Sequence, residues 1–312
     1  MTIQFPRVSI AIPLYNEEQG VAELLRRVRA VLEQLPGGPH ELVLVDDGSS
    51  DRTFELIAAA ATQESNIVAI SLSRNFGHQS ALSAALDHVM GDLVIVMDGD
   101  LQDCPDIIPE FIDKHQQGFD VVYAQRSLRK EGWFLRSCYF LFYRVLSFFS
   151  NTRLPLDAGD FALLSRRVVD ELRHLPEHHR YLRGLRAWVG FRQTGVLVER
   201  SERFSGESKY TFRKLFGLGL DGIFAFSVVP LRVATILGLL TTFLSLLFGA
   251  YSLYVKIFLN RSPEGFTALI LVIIFVSGVQ LLFLGMIGEY LGRVYEETKG
   301  RPHYIISKVI GR

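Results

Sequence analysis

Residues 93–103 read LVIVMDGDLQD. The first four are apolar without alternation, which is how a strand buried on both faces looks. The run then ends in Asp98, Asp100 and Asp103, with Asp106 close behind. Like charges this near push one another towards protonation, so something must receive them: a cation, or open water around an acidic turn. In an extended segment residues i and i+2 point to the same side. Asp98 and Asp100, separated by Gly99, therefore face one cation together. Mg2+ takes one or two protein carboxylates and fills its other positions with substrate phosphate and water, so the pair is half a site that a diphosphate completes.

Working outward, VSIAI (8–12), LVLV (42–45), IVAISL (67–72) and VVYA (121–124) repeat the strand signal. Helical patterns lie between the earlier runs, at 17–34, 51–64 and 77–90. Strand, helix, strand in repetition predicts a parallel α/β sheet with helices on both faces. Ligands of such sheets bind beyond the carboxyl ends of the strands. VSIAI opens into Pro13, Leu14, Tyr15, Asn16 and Glu17, and LVLV into Asp46, Asp47, Gly48, Ser49, Ser50 and Asp51. Three polar clusters at three carboxyl ends are expected to converge on one crevice. No G-x-G-x-x-G follows the first strand and no G-x-x-x-x-G-K-[ST] is present, so neither a dinucleotide fold nor a P-loop has support.

Lys+Arg and Asp+Glu balance at 33 each in 312 residues, so no bulk charge points to nucleic acid. The mean hydropathy of +0.23 has a local origin. Residues 233–255 and 265–288 carry no charge, and roughly 20 apolar residues span a bilayer as a helix. Arg213, Lys214 and Arg232 precede the first stretch, and Arg293, Lys299, Arg301 and Lys308 follow the second. That bias predicts both termini on the cytoplasmic side of a membrane. Residues 133–149, WFLRSCYFLFYRVLSFF, read as a helix on the bilayer surface or as a core helix with two snorkelling arginines. Cys104 and Cys138 suit no disulfide framework or zinc site. The expected organisation is a catalytic domain over 1–210, an interfacial segment over 211–231, two spans within 232–292 and a cytoplasmic tail over 293–312. Cutting the chain near residue 215 is expected to leave a soluble or surface-bound domain.

The ordered set IPLYNE (12–17), VDDGSSDRT (45–53), LSRNFGHQSAL (72–82) and MDGDLQD (97–103) resembles family 2 glycosyltransferases of the GT-A fold. SRNFGHQSAL and RFSGESKY (203–210) are similar to the polyprenyl-phosphate branch, which includes dolichyl-phosphate mannose synthase. The two apolar stretches sharpen the likeness to the bactoprenol (undecaprenyl-phosphate) glucosyltransferase group. The resemblance implies a GT-A domain with a mostly parallel sheet, followed by interfacial and two transmembrane helices. It implies that Pro13, Tyr15, Glu17, Asp46, Asp47, Asp98 and Gly99 hold the nucleotide. It further implies Mg2+ or Mn2+ on the diphosphate, held by Asp98 and Asp100 with Gln102 as a third ligand. Asp157, in LPLDAGDF, becomes the acceptor-side acid/base or orienting residue. A homo-oligomer, such as a tetramer, follows from the same likeness.

The implied acceptor is a lipid phosphate, largely dianionic at neutral pH with a second pKa of about 6. Such a nucleophile needs positioning more than a base, and arginines grip phosphate oxygens in a bidentate fork. Arg126, Arg136, Arg200, Arg203 and Lys209 are the candidates, with Ser208 beside them, and Arg200 and Lys209 flank a Gly/Ser-rich turn just before the first span. For Arg136 and Arg203 ordinary attraction to anionic lipid is the alternative. The expected reaction is inverting transfer of a hexose, glucose from UDP-glucose, to undecaprenyl phosphate; GDP-mannose or a UDP-aminosugar is the alternative donor. A processive polysaccharide synthase would need a Gln-x-x-Arg-Trp motif and more spans, and a sensor with a degenerate site would not need the acidic pair.

Overall fold

The structure, a computed structural model, describes residues 6–126, 158–177, 180–198, 229–259 and 265–311. Arg136, Asp157, Arg200, Arg203, Ser208 and Lys209 lie outside these residues, as do the surface segment expected at 133–149 and most of that at 211–231. The described residues divide into two compact units, one from within Met1–Phe148, Thr152–Thr211 and Arg301–Arg312, the other from within Phe212–Gly300.

The first unit begins as alternating strands and helices: β1 (Val8–Leu14), α1 (Val21–Gln34), β2 (Glu41–Asp46), α2 (Thr53–Gln63), β3 (Ile67–Leu72), α3 (His78–His88), β4 (Leu93–Val96), α4 (Ile108–Gln116) and β5 (Val121–Arg126). β6 (Ala158–Ser165), helices over Arg166–His174 and Leu182–Trp188, β7 (Gln193–Val198) and β8 (Ile306–Ile310) complete it. Among the described residues the strands form one sheet in the order β7-β5-β6-β4-β1-β2-β3-β8. β1 to β4 are mutually parallel, and β5 is parallel to β7. β6 runs antiparallel between β4 and β5, and β8 runs antiparallel on the far edge beside β3. The sheet is mixed and mostly parallel.

The central strands form because their sequences suit burial on both faces. β1, β2 and β4 are buried at every position. α1 places Val21, Leu24, Leu25, Val28, Val31 and Leu32 on one buried stripe, the spacing of a helix face packed on a core. Each such side chain contributes about 1.5–3 kcal/mol when fully buried. Register then sets the functional edge. Leu14 pairs with Asp46, Asp46 with Ser71, and Ala11 with Val96, so the carboxyl ends of the parallel strands lie along one side of the sheet.

The second unit contains helices over Val229–Leu259 and Phe266–Thr298, of 31 and 33 residues. At 1.5 Å per residue they are about 45–50 Å long. Both are long and apolar enough to cross a membrane. Leu239, Phe243, Phe248 and Leu253 are exposed along the first, whereas a core helix would bury them. The uncharged part of the second gives way to Glu289 and Arg293, paired at 3.1 Å, and to Glu296 and Lys299, paired at 2.6 Å.

Candidate active site

The three polar clusters meet. The Asp47 amide donates to the Leu14 carbonyl at 2.9 Å, and the Met97 amide to the Ala11 carbonyl at 3.1 Å. Between the β1 and β2 loops, the Asn16 amide donates to Ser49 Oγ and the Ser50 amide to Asn16 Oδ1, each at 2.9 Å. Asn16 has φ +53°, a left-handed conformation that its short polar side chain tolerates. The Glu17 amide donates to Thr53 Oγ1 at 2.9 Å. These bonds join both loops into one wall. On it Tyr15 is 46% exposed, Glu17 is half-buried and Pro13 is buried.

Asp46 and Asp47 are buried, at 2% and 3% exposure. Asp46 accepts from the Ser49 amide at 3.2 Å and from Ser71 Oγ at 3.3 Å. Asp47 accepts the Phe76 amide on one oxygen at 2.8 Å and the Gly77 amide on the other at 3.0 Å. Burial pushes the Asp47 carboxyl above the usual range, with help from Asp46, against the pull of those two amides. Asp47 thus holds the 73–77 loop. Gly48 brings that loop close: at φ +65°, an added Cβ would lie 2.4 Å from the Arg74 carbonyl carbon and 2.7 Å from the Asn75 nitrogen.

The acidic turn seats against β1. A Cβ on Gly99 would fall 2.3 Å from Leu14 Cδ2 and 3.2 Å from the Pro13 carbonyl oxygen, so glycine lets the turn lie against the strand end. Leu101 takes φ +60°. Asp100 Oδ1 accepts from the Gln102 amide at 3.1 Å, which closes a tight turn. Asp98 and Asp100 are half-buried on either side of buried Gly99. Hard carboxylate oxygens suit Mg2+ or Mn2+, and the glycine cradle brings them to the crevice formed by the Tyr15 and Asp46 loops. The donor set fits a divalent ion whose remaining positions come from a ligand; among the described residues no group of three or more His, Cys, Asp or Glu side chains is gathered for a metal.

Four side chains join this site that the sequence reading did not assign to it. β4 and β6 pair Val96 with Ala162, and continuing that register two residues brings Asp160 level with Asp98. Asp160 accepts from Arg183 Nε at 3.2 Å and Nη2 at 2.7 Å. Burial pushes its carboxyl up, but the Arg183 charge and hydrogen bond, with His78 and Arg186 beyond, hold it below the usual range. Arg186 is buried, donates from Nη2 to the Gly159 carbonyl at 3.3 Å and stacks over Tyr123 at 5.3 Å. Burial lowers its pKa to about 10. His78, at the start of α3, places Nε2 3.5 Å from Asp98 Oδ1. A lone histidine by a helix start reads as a structural donor, and nothing in the sequence singles out the arginines of YLRGLRAW. Only the fold brings them here.

Arg126 ends β5 in register with Val198 at the end of β7, two residues before Arg200. Asp157 immediately precedes β6.

The Glycosyl transferase family 2 profile matches residues 9–173, more than half of the chain. An uncharacterised glycosyltransferase of Synechocystis sp. is 43% identical over 312 residues, covering 100% of this chain and 97% of that one. The bactoprenol glucosyl transferase of Shigella phage SfX is 40% identical over 302 residues, covering 96% and 99%. Among solved structures, a mannosyltransferase of Pyrobaculum calidifontis in complex with GDP-Man and Mn2+ aligns at a TM-score of 0.49 and 20% identity, covering 72% of this chain and 64% of that one. With the mixed, mostly parallel sheet of a GT-A domain and a profile match across it, the chain is a glycosyltransferase and belongs to glycosyl transferase family 2.

Proposed function

We propose that this glycosyltransferase moves glucose from UDP-glucose onto polyprenyl phosphate, with inversion at the anomeric carbon, at the cytoplasmic face of a bacterial inner membrane. The observation that carries the reading is the meeting of Asp98, Gly99 and Asp100 with the Tyr15 and Asp46–Asp47 loops at one sheet edge. It is joined to full-length relatives named for bactoprenol glucosyl transfer. Tyr15 offers an exposed ring for the base, and Glu17 and the Asp46 loop flank the ribose. Asp98 and Asp100, with Gln102, hold Mg2+ or Mn2+, which supplies Lewis acidity to the departing diphosphate. The lipid phosphate oxygen forms the bond to the anomeric carbon as the bond to UDP breaks on the opposite face. Arg126, Arg200 and Arg203 grip and orient that phosphate, with Arg136, Ser208 and Lys209 around it, and Asp157 orients the attacking oxygen. The two long helices are membrane spans that keep the acceptor near the site. The working form is a homo-oligomer.

Donor choice tests the reading. Incubated with polyprenyl phosphate and a panel of labelled nucleotide sugars, the full-length protein is expected to move label into the organic phase from UDP-glucose at least about tenfold faster than from GDP-mannose or UDP-N-acetylglucosamine, a spread within what pocket contacts discriminate. Preference for GDP-mannose would replace the donor while keeping the reaction class.

A further inference from the structure

The C-terminal tail is part of the sheet. Residues 306–310 follow the long helix Phe266–Thr298 in sequence, yet they form β8 on the edge of β3, with Ala69 opposite Ile310, Ile70 opposite Val309 and Ser71 opposite Lys308. The fit extends past β8. Gly311, at φ +96°, has no room for a Cβ, which would lie 2.1 Å from the Ile67 carbonyl oxygen. Just before β8, the Ile305 carbonyl accepts from the Ser73 amide at 2.8 Å. Tyr304 donates its hydroxyl to Asp87 Oδ2 on α3 at 2.6 Å. Burial, then that bond, pushes the Tyr304 phenol above its usual range, so it stays a donor.

One anchor point leads into the start of α3 through Ser73, and the other holds the last turn of α3 at Asp87. Ser73 opens the 73–77 loop, and α3 begins at His78, beside Asp98. Asp47 grips the other end of that loop through Phe76 and Gly77, and Gly48 packs against its middle. Two of the three restraints come from the turn after β2. The third comes from a segment that reaches the sheet only after both long helices.

We propose that residues 304–310 are a positioning element of the donor site, acting through Ser73 and α3 on the loop that carries His78 to Asp98. A catalytic domain cut near residue 215 therefore lacks this positioning element, and its UDP binding is expected to be weaker than that of the full chain. Where that loop contacts the nucleotide sugar, as the function proposed above requires, loss of β8 weakens donor binding before it affects the sugar-transfer step. An edge of β3 left without β8 also presents unpaired backbone groups, so the tail covers as well as positions.

The test compares full-length protein with a chain ending at Gly300, both in mild detergent, so that the long helices stay in place. The shortened chain is expected to bind UDP about tenfold more weakly, a loss in keeping with misplacement of contacts by a fraction of an ångström. Its hydrogen exchange should accelerate at 67–78 while 8–14 and 93–96 keep their protection. Adding a peptide of residues 301–312 should restore both. Unchanged UDP affinity together with unchanged exchange at 73–78 overturns the proposal. So does acceleration spread evenly over the whole sheet, because the tail would then serve general stability only. If the shortened chain fails to fold, Tyr304→Phe decides: the proposal expects faster exchange at the start of α3 and donor KM raised with kcat kept, and wild-type values for both overturn it. If full-length protein itself binds no UDP, the function proposed above falls, and the exchange measurements alone judge the tail.

Discussion

Asp100→Asn is expected to lower transfer about 10²–10³-fold, the usual result of removing one positioned electrostatic group from a reacting centre. The exchange removes a negative charge with little change in shape. The turn stays closed, because the asparagine oxygen can still accept from the Gln102 amide that Asp100 Oδ1 now holds at 3.1 Å. What is lost is one of the two carboxylates proposed to hold the metal on the diphosphate. UDP affinity should therefore become much less responsive to added Mg2+ or Mn2+, which calorimetric titration reads without turnover. Asp157→Asn separates donor from acceptor chemistry. It should leave metal-dependent UDP binding intact while slowing transfer by about 10²-fold, the lower end for acid–base help, because a phosphate dianion is already a competent nucleophile. Asp100→Asn binding with wild-type metal dependence would reduce residues 97–103 to an acidic turn.

Gly48→Ala is expected to be nearly as damaging, although residue 48 carries no chemistry. Its φ of +65° is a conformation alanine adopts only at a cost of about 1 kcal/mol. The larger effect is steric. The new methyl would lie 2.4 to 2.9 Å from backbone atoms of Arg74 and Asn75, and backbone does not rotate aside as a long side chain does. The 73–77 loop must move away, stretching the bonds from Phe76 and Gly77 to Asp47 and carrying His78 from its place 3.5 Å from Asp98. A shift near 1 Å in a positioning element costs about 10²-fold in rate. Steady-state kinetics with UDP-glucose should show that loss, with circular dichroism close to wild type. Wild-type activity would mean that the loop does not shape the site.

The centre of the fold was readable because its strands are apolar at every position. VSIAI, LVLV, IVAISL, LVIV and VVYA all lie within strands, and the clusters that follow the first, second and fourth meet as expected. The edges were not readable. β7 is QTGVLV, with a glycine and mostly half-buried positions, and β8 is ISKVI, largely exposed; edge strands have no continuous apolar run to show. β6 holds the buried run FALL but starts with AGD, which reads as a turn. Arginine was no easier to read. Arg166 and Arg173 send guanidinium groups onto the carbonyls of Gly91, Leu86 and Val89, so charges that composition places in water instead brace the end of α3. The acidic pair could be recognised because its spacing is local. Asp160, Arg183 and His78 could not, because a register and a helix start bring them to it.

The central claim is that one crevice joins a nucleotide sugar to a lipid phosphate by inversion. It is tested most directly by the product. Purified full-length protein with Mg2+, UDP-[14C]glucose and undecaprenyl phosphate should yield one acid-labile lipid in the organic phase and an equal amount of UDP. Proton NMR of that lipid should give a β-linked glucosyl phosphate from the α-linked donor. Label released as free glucose, built into a water-soluble polymer, or carried by an α-linked lipid would contradict it.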